Sequence, residues 1–325
     1  MSIVVSGQGL LVPGVRGPAD LARPDAAPAA PAQDWFDPVA HLGRRGWKYL
    51  SPATRYLLAA ANAALGRTHG DPAAEGRRAD RFGISVGTHH AIGALHVRLD
   101  EEVRRDGAAG LSPAELPGFS VNMPASQAAI SLGCRAFSVT LTNPVVAGLE
   151  AVVFGADALR RGRADRVLAG ATEAAPAAGG PPYDGAAALV LDVVGHGAAA
   201  GRPELLGGLS RFVPTGADGG PDPAAARAAA AQVAALAARA GGAGRIGYAF
   251  CGPPGTRLLD EAVRHALESA GTRAEPVPST GADARFGTTS GLLRLAALLG
   301  RPEPGLTVAV SADGHLSAVV ARGAD

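Results

Sequence analysis

Residues 137–162 read FSVTLTNPVVAGLEAVVFGADALRRG, and the hydrophobic period changes within them. Phe137–Thr142 is rich in β-branched residues and reads as a strand. Asn143-Pro144 breaks that strand with a turn. Beyond it Val146, Leu149, Val153, Ala156 and Leu159 recur at helical spacing. Strand, sharp turn and helix make the layout of a nucleophile elbow. A side chain projects at the turn, where the helix N-terminus supplies N–H groups and partial positive charge. The residue expected there is Val145, which has no proton to give and no nucleophilic atom. The pattern therefore predicts an elbow without chemistry on it.

Outward from this stretch, strands and helices alternate. Ser2–Gly14 and Arg81–Thr88 read as buried strands, and a Ser51-Pro52 cap starts a helix to about Leu65. A helix follows His89-His90 to about Val103, and another starts in Asn122–Ile130. Val167–Ala171 and Gly185–Val193 read as strands, giving an α/β layered pattern over residues 1–195. The second part repeats it. Strands are expected at Leu205–Phe212, Arg245–Gly252 and Glu275–Ser279. Helices are expected at Pro223–Ala240, Leu258–Ala270 and Gly291–Leu299. A final hairpin, Leu306–Ser311 with Leu316–Ala321, turns at Asp313-Gly314. Residues 1–195 and 196–325 thus read as two duplicated α/β halves, the second shortened. Arg23–Gln33 is Pro/Ala-rich and is expected as a surface loop.

Composition narrows the function classes. The chain has 325 residues, 47% of them hydrophobic and 4% aromatic, so Ala, Val and Leu must fill the core. A net charge of +1 gives no electrostatic footprint for nucleic acid. Two cysteines, Cys134 and Cys251, are no disulfide framework. No apolar run reaches the roughly 18 residues of a membrane span, and no signal peptide is evident, so a cytoplasmic protein is expected. Gly7–Gly14 resembles a dinucleotide loop, but Val12 stands where its third glycine belongs. Adjacent His89 and His90 diverge on a helix and make a poor metal pair. The reading calls for no cofactor and no metal.

Several motifs together resemble the β-ketoacyl synthases of the thiolase fold. They are VVSGQGLLVPG, RFGISVGT, VNMPASQAAISLG, SVTLTNPVVAGLEAV, GRADRVLAGATEAA and GAAALVLD, followed more loosely by GTRLLDEAV and GLLRLAALLG. The resemblance implies a five-layered αβαβα arrangement of the two halves. The family condenses acyl chains with an elbow Cys and two His. By motif the Cys position is Val145, the first His position is Gly252 or Cys251, and the second falls near Arg285. The late glycine loop is altered to SADGHLSA, with Leu316 at its Asn position.

What the resemblance implies is a subunit that has lost condensation. It resembles the chain length factor of type II polyketide synthases, the β subunit that pairs with a catalytic ketosynthase and shapes the acyl tunnel, more than it resembles an enzyme. Val145 and Val146 would help to wall that tunnel. The family's gate helix is here HAIGALHVRLD, with Ile92, Leu95, His96 and Leu99 as gate candidates. The family's dimer edge is the Phe137–Thr142 strand, with Phe137, Val139 and Leu141 as interface candidates. Implied partners are a ketosynthase and an acyl carrier protein, with no nucleic acid and no membrane. Val at the elbow and the short link from Glu173 to Ala186 depart from aromatic-polyketide members and point toward polyene or highly reducing systems. Arg160, Arg161 and Arg163 either complement the helix dipole or meet the carrier protein. An alternative is a divergent acyltransferase or cyclase using His315 or Cys251.

Overall fold

The structure, a computed structural model, describes residues 1–15, 17–21, 35–68, 70–113, 115–174, 184–195, 201–215, 220–241, 244–278 and 284–324. The loop expected at Arg23–Gln33 lies outside them, as does most of the link between Glu173 and Ala186. The first part runs β1 (Ile3–Leu11), α1 (Pro18–Leu21), α2 (Pro38–Leu42), α3 (Pro52–Ala64), α4 (Gly76–Asp80), β2 (Phe82–Gly87), α5 (Gly93–Asp106), α6 (Met123–Leu132), β3 (Phe137–Leu141), α7 (Ala147–Arg160), β4 (Arg166–Glu173) and β5 (Gly185–Val193). The second part runs β6 (Glu204–Phe212), α8 (Pro223–Arg239), β7 (Gly244–Cys251), α9 (Arg257–Ser269), β8 (Thr272–Pro276), α10 (Thr289–Leu298), β9 (Gly305–Val310) and β10 (His315–Arg322).

The strands form one hydrogen-bonded sheet in the order β3-β2-β4-β5-β1-β6-β10-β9-β7-β8. Read inward from each end, the two halves have the same order: third, second, fourth, fifth and first strand. In each half the second strand pairs parallel with the third and fourth, and the fifth runs antiparallel. The halves join where β1 meets β6 through Ile3↔Leu205 and Val4↔Glu204.

Alternation along the strands sets the layers. On β4, Leu168 faces one core while Val167, Ala169 and Ala171 face another. The outer core holds Phe82, Ile84 and Val86 under α3 and α6. A matching outer core in the second half holds Ile246, Tyr248, Val308 and Val320 under α8 and α9. Between the halves lie α7 and α10, giving the αβαβα layering and the thiolase fold that the motifs imply.

The middle position explains why α7 is not amphipathic. A helix with one apolar face is expected there, yet α7 is buried nearly all round, with Gly148, Glu150, Ala151, Val152 and Gly155 as covered as Leu149. Small residues let it approach its neighbours. A Cβ on Gly148 would stand 2.2 Å from the Thr288 carbonyl oxygen at the start of α10. On the facing side, a Cβ on Gly291 would meet Leu149 at 2.8 Å.

Local signals set several boundaries. Ser51 accepts from the Thr54 N–H and caps α3. Gly314, at φ 92°, turns the last hairpin. The strand expected at Glu275–Ser279 instead spans Thr272–Pro276. Its register with β7, Gly244↔Thr272 to Tyr248↔Pro276, fixes it, and Pro276 has no N–H with which to continue a ladder. Among the described residues, no helix is long and apolar enough to cross a membrane.

Candidate functional site

The elbow is present. Val145 has φ 64°, in the left-handed region that costs an L-residue about 1–2 kcal/mol. The Val146 N–H donates to the Pro144 carbonyl at 2.6 Å, closing the turn around it. A β-branched residue keeps such a conformation when its surroundings over-determine it. Here the Asn143 amide donates to both oxygens of Glu150, at 3.1 and 2.9 Å. Ser210 of β6 donates to the same carboxylate at 2.8 Å, tying the turn to the second half. The backbone of Ala147 packs on Gly87, where a Cβ would stand 2.3 Å away.

A second carboxylate lies behind the elbow. Glu173, fully buried at the end of β4, accepts the N–H groups of His89 and His90 at 3.0 and 2.7 Å. It also accepts the Thr288 hydroxyl at 2.8 Å and its N–H at 3.3 Å. Burial pushes the Glu173 carboxyl up, and these four hydrogen bonds oppose that shift. The contacts fasten the loop after β2 and the N-terminus of α10 to β4. The His89 ring is held too: its Nδ1 donates to the Thr142 carbonyl at 2.9 Å. The His89 and His90 rings meet edge to face at 4.5 Å. Among the described residues, no group of His, Cys, Asp and Glu could hold a metal ion.

The two expected His positions carry other chemistry. Cys251 ends β7, fully buried in the same central core as Val146 and Phe286, with Val145 and Ala284 packed against it. At Gly252 a Cβ would stand 2.3 Å from the Thr256 hydroxyl, which donates to the Pro253 carbonyl at 2.7 Å. That loop has closed over the space a larger side chain needs. Arg285 is half-buried beside Ala284, whose φ of 60° repeats the elbow conformation ahead of α10. Leu316 is buried in β10. His315 is half-buried, with its ring 5.4 Å from that of Phe212. The structure therefore gathers Val145, Val146, Cys251 and Phe286 around one apolar core. The side chain at the elbow carries no nucleophilic atom.

The other candidates separate. Ile92 and Leu99 are buried, Leu95 is half-buried and His96 is exposed. Leu95 packs on Gly118, and His96 lies 4.3 Å from the Phe119 ring. Strand β3 stands at one end of the sheet, so its outer edge is unpaired among the described residues. Val139 and Leu141 are half-buried there. Phe137 is half-buried as well, and its ring covers Gly83 and meets Phe154 at 5.6 Å and 77°. Phe119 and Ile130, on segments flanking this edge, are 53% and 72% exposed. Arg161 pairs with Asp157 at 2.8 Å at the end of α7.

Two residues with clear structural roles, Glu150 and Glu173, were not singled out by motif reading. The available signal was an acid inside an otherwise apolar run, AGLEAVV and AGATEAA. Each also has a partner in the other half, Ser210 and Thr288, which sequence spacing does not reveal.

If the elbow geometry is intact, a thiol placed on it will be activated by the N-terminus of α7. Val145→Cys is expected to react with iodoacetamide at least ten-fold faster than Cys134 or Cys251 in the folded protein. Cys251 is fully buried, and burial pushes the Cys134 thiol up to about 12. Peptide mass spectrometry reads the rates; equal labelling of all three would remove the elbow from the site.

Comparison with known proteins agrees with this geometry. Residues 19–180 match the family model of the β-ketoacyl synthase N-terminal domain. No curated protein matches the chain by sequence. Among solved structures, the ishigamide ketosynthase/chain length factor is similar over 100% of both chains, with a TM-score of 0.73 and 20% identity. A chain of AntDE:AntF, described as a type II polyketide synthase acyl carrier protein in complex with its ketosynthase bound to the hexaketide, is similar over 99% of both chains, with a TM-score of 0.77 and 18% identity. An oxazolomycin ketosynthase domain from Streptomyces albus is similar over 99% of this chain and 95% of that one, with a TM-score of 0.71 and 18% identity.

Proposed function

The N-terminal half of this chain, residues 19–180, belongs to the β-ketoacyl synthase family, and from that premise we propose that the protein is a non-condensing chain length factor. In this reading it pairs with a catalytic ketosynthase in the cytoplasm and shapes the tunnel for an acyl chain grown on an acyl carrier protein. The system is of the type II polyketide class, and the short Glu173–Ala186 link favours a polyene or highly reducing one. The mirrored strand orders support residues 1–195 and 196–325 as the halves of one duplicated unit.

One observation carries the proposal. Val145 occupies the strained, left-handed elbow position that a nucleophile needs, and it has nothing to attack with. Valine at that φ is a costly choice for a plain turn, and it is an apolar one. The two remaining chemical positions, at Gly252 or Cys251 and near Arg285, also lack the family's His. The unpaired β3 edge, with exposed Phe119 and Ile130 beside it, supports pairing with a second chain. Val139→Asp on that edge is expected to weaken the pairing at least ten-fold, as read by co-purification, while leaving the monomer folded.

The test is reconstitution. Alone with malonyl- and acyl-loaded carrier protein, the chain is expected to give no condensed product. With a ketosynthase encoded beside it, extended products are expected. Replacing Leu95 or Leu99 by Ala or Phe is then expected to shift their length, as read by mass spectrometry. Condensation by this chain alone, or an acyl adduct on Cys251, would sink the reading.

A further inference from the structure

A groove of about 890 Å³ opens at the end of the N-terminal half opposite the elbow, where β2 and β4 begin and β5 ends. Leu65, Phe82 and Leu132 give it an apolar floor, and five arginines, Arg67, Arg77, Arg78, Arg81 and Arg166, line it. The lining also holds three acids, two of them already engaged. Arg81 pairs with Asp165 at 2.8 Å. Arg166 forks onto the buried Asp192 at 2.8 and 3.0 Å. Against the remaining acid, Glu75, stand Arg67, Arg77 and Arg78, an excess of two positive charges.

Those three arginines are poorly satisfied. Arg67 donates through Nη2 to the Asp71 carbonyl at 2.6 Å, but its Nε–H is buried without a partner. Among the described residues, the exposed guanidinium groups of Arg77 and Arg78 form no ion pair or hydrogen bond. A buried donor left unmade is costly, so a partner for it is expected from outside the chain. Guanidinium groups suit phosphate oxygens, which they bind in fork geometry. A phosphate carries a charge of about −1.5 to −2 near pH 7, which balances the excess. The concave shape and the mixed apolar and cationic lining fit a small molecule better than a flat macromolecular surface.

We propose that this groove binds an organic phosphate, with the phosphate on Arg67, Arg77 and Arg78 and the apolar body over Leu65, Phe82 and Leu132. The inference does not rest on the proposed partner role. The test is isothermal titration of the full chain with ADP and with inorganic phosphate. ADP is expected to bind at one site, at least ten-fold tighter than inorganic phosphate. The Arg77→Ala/Arg78→Ala double variant, altered at exposed positions, is expected to weaken ADP at least ten-fold, and Arg67→Gln to weaken it measurably. Arg257→Ala, exposed on α9 of the second half, is expected to change it less than two-fold. No saturable ADP binding, equal affinity for ADP and inorganic phosphate, or binding unchanged in the Arg77/Arg78 variant would overturn the proposal.

Discussion

Glu173→Ala is expected to destabilise the folded chain by about 4 kcal/mol, because it leaves buried donors without an acceptor. Four hydrogen bonds end on this carboxylate, from the backbone of His89, His90 and Thr288 and from the Thr288 hydroxyl. They come from two segments and end on a third, so the loss loosens the loop after β2, the start of α10 and the end of β4 together. A drop in Tm of roughly 6 °C corresponds to that energy in a chain of this size. Glu173→Gln keeps the shape and one acceptor oxygen, but its amide N–H₂ faces other donors. Its cost should fall between wild type and the Ala variant. Urea unfolding checks both, and a cost below about 1 kcal/mol for Glu173→Ala would show that water replaces the carboxylate.

Gly148→Ala is the second large effect. The added methyl would stand 2.2 Å from the Thr288 carbonyl oxygen and 2.9 Å from Leu292. Both belong to the start of α10, so relief requires α7 and α10 to move apart in the middle of the core. Overpacking of this kind costs about 1–3 kcal/mol, and more when backbone must shift. A loss of about 3 kcal/mol is expected, with reduced soluble yield. Gly17→Ala is the control: nothing lies within 4 Å of its added Cβ, and it should stay within about 0.5 kcal/mol of wild type. Equal stability of the two variants would mean that the central helices are not packed this closely.

Much of the fold was legible where local chemistry sets it. Strand β5 was read at its observed limits, Gly185–Val193, because a continuous apolar run admits little else. Ser51-Pro52 and Asp313-Gly314 marked a helix start and a hairpin through cap and turn preferences. The elbow was legible from its strand-turn-helix layout, and the left-handed Val145 bears that out. Contacts between distant segments were not legible. Nothing in AGATEAA says that Thr288, 115 residues away, bonds to Glu173. Nothing in the periodicity of α7 says that sheet lies on both of its sides. The arginine groove is built from the segment after α3, from α4 and from the ends of α6, β2, β4 and β5, so no single motif announces it.

The role proposed for the chain depends on an asymmetric pair: an empty elbow here and a working one in a partner. Native mass spectrometry of the protein co-expressed with a type II ketosynthase from the same source tests this most directly. A one-to-one heterodimer is predicted, lost with Val139→Asp on the β3 edge. A homodimer that forms regardless of the ketosynthase would contradict it.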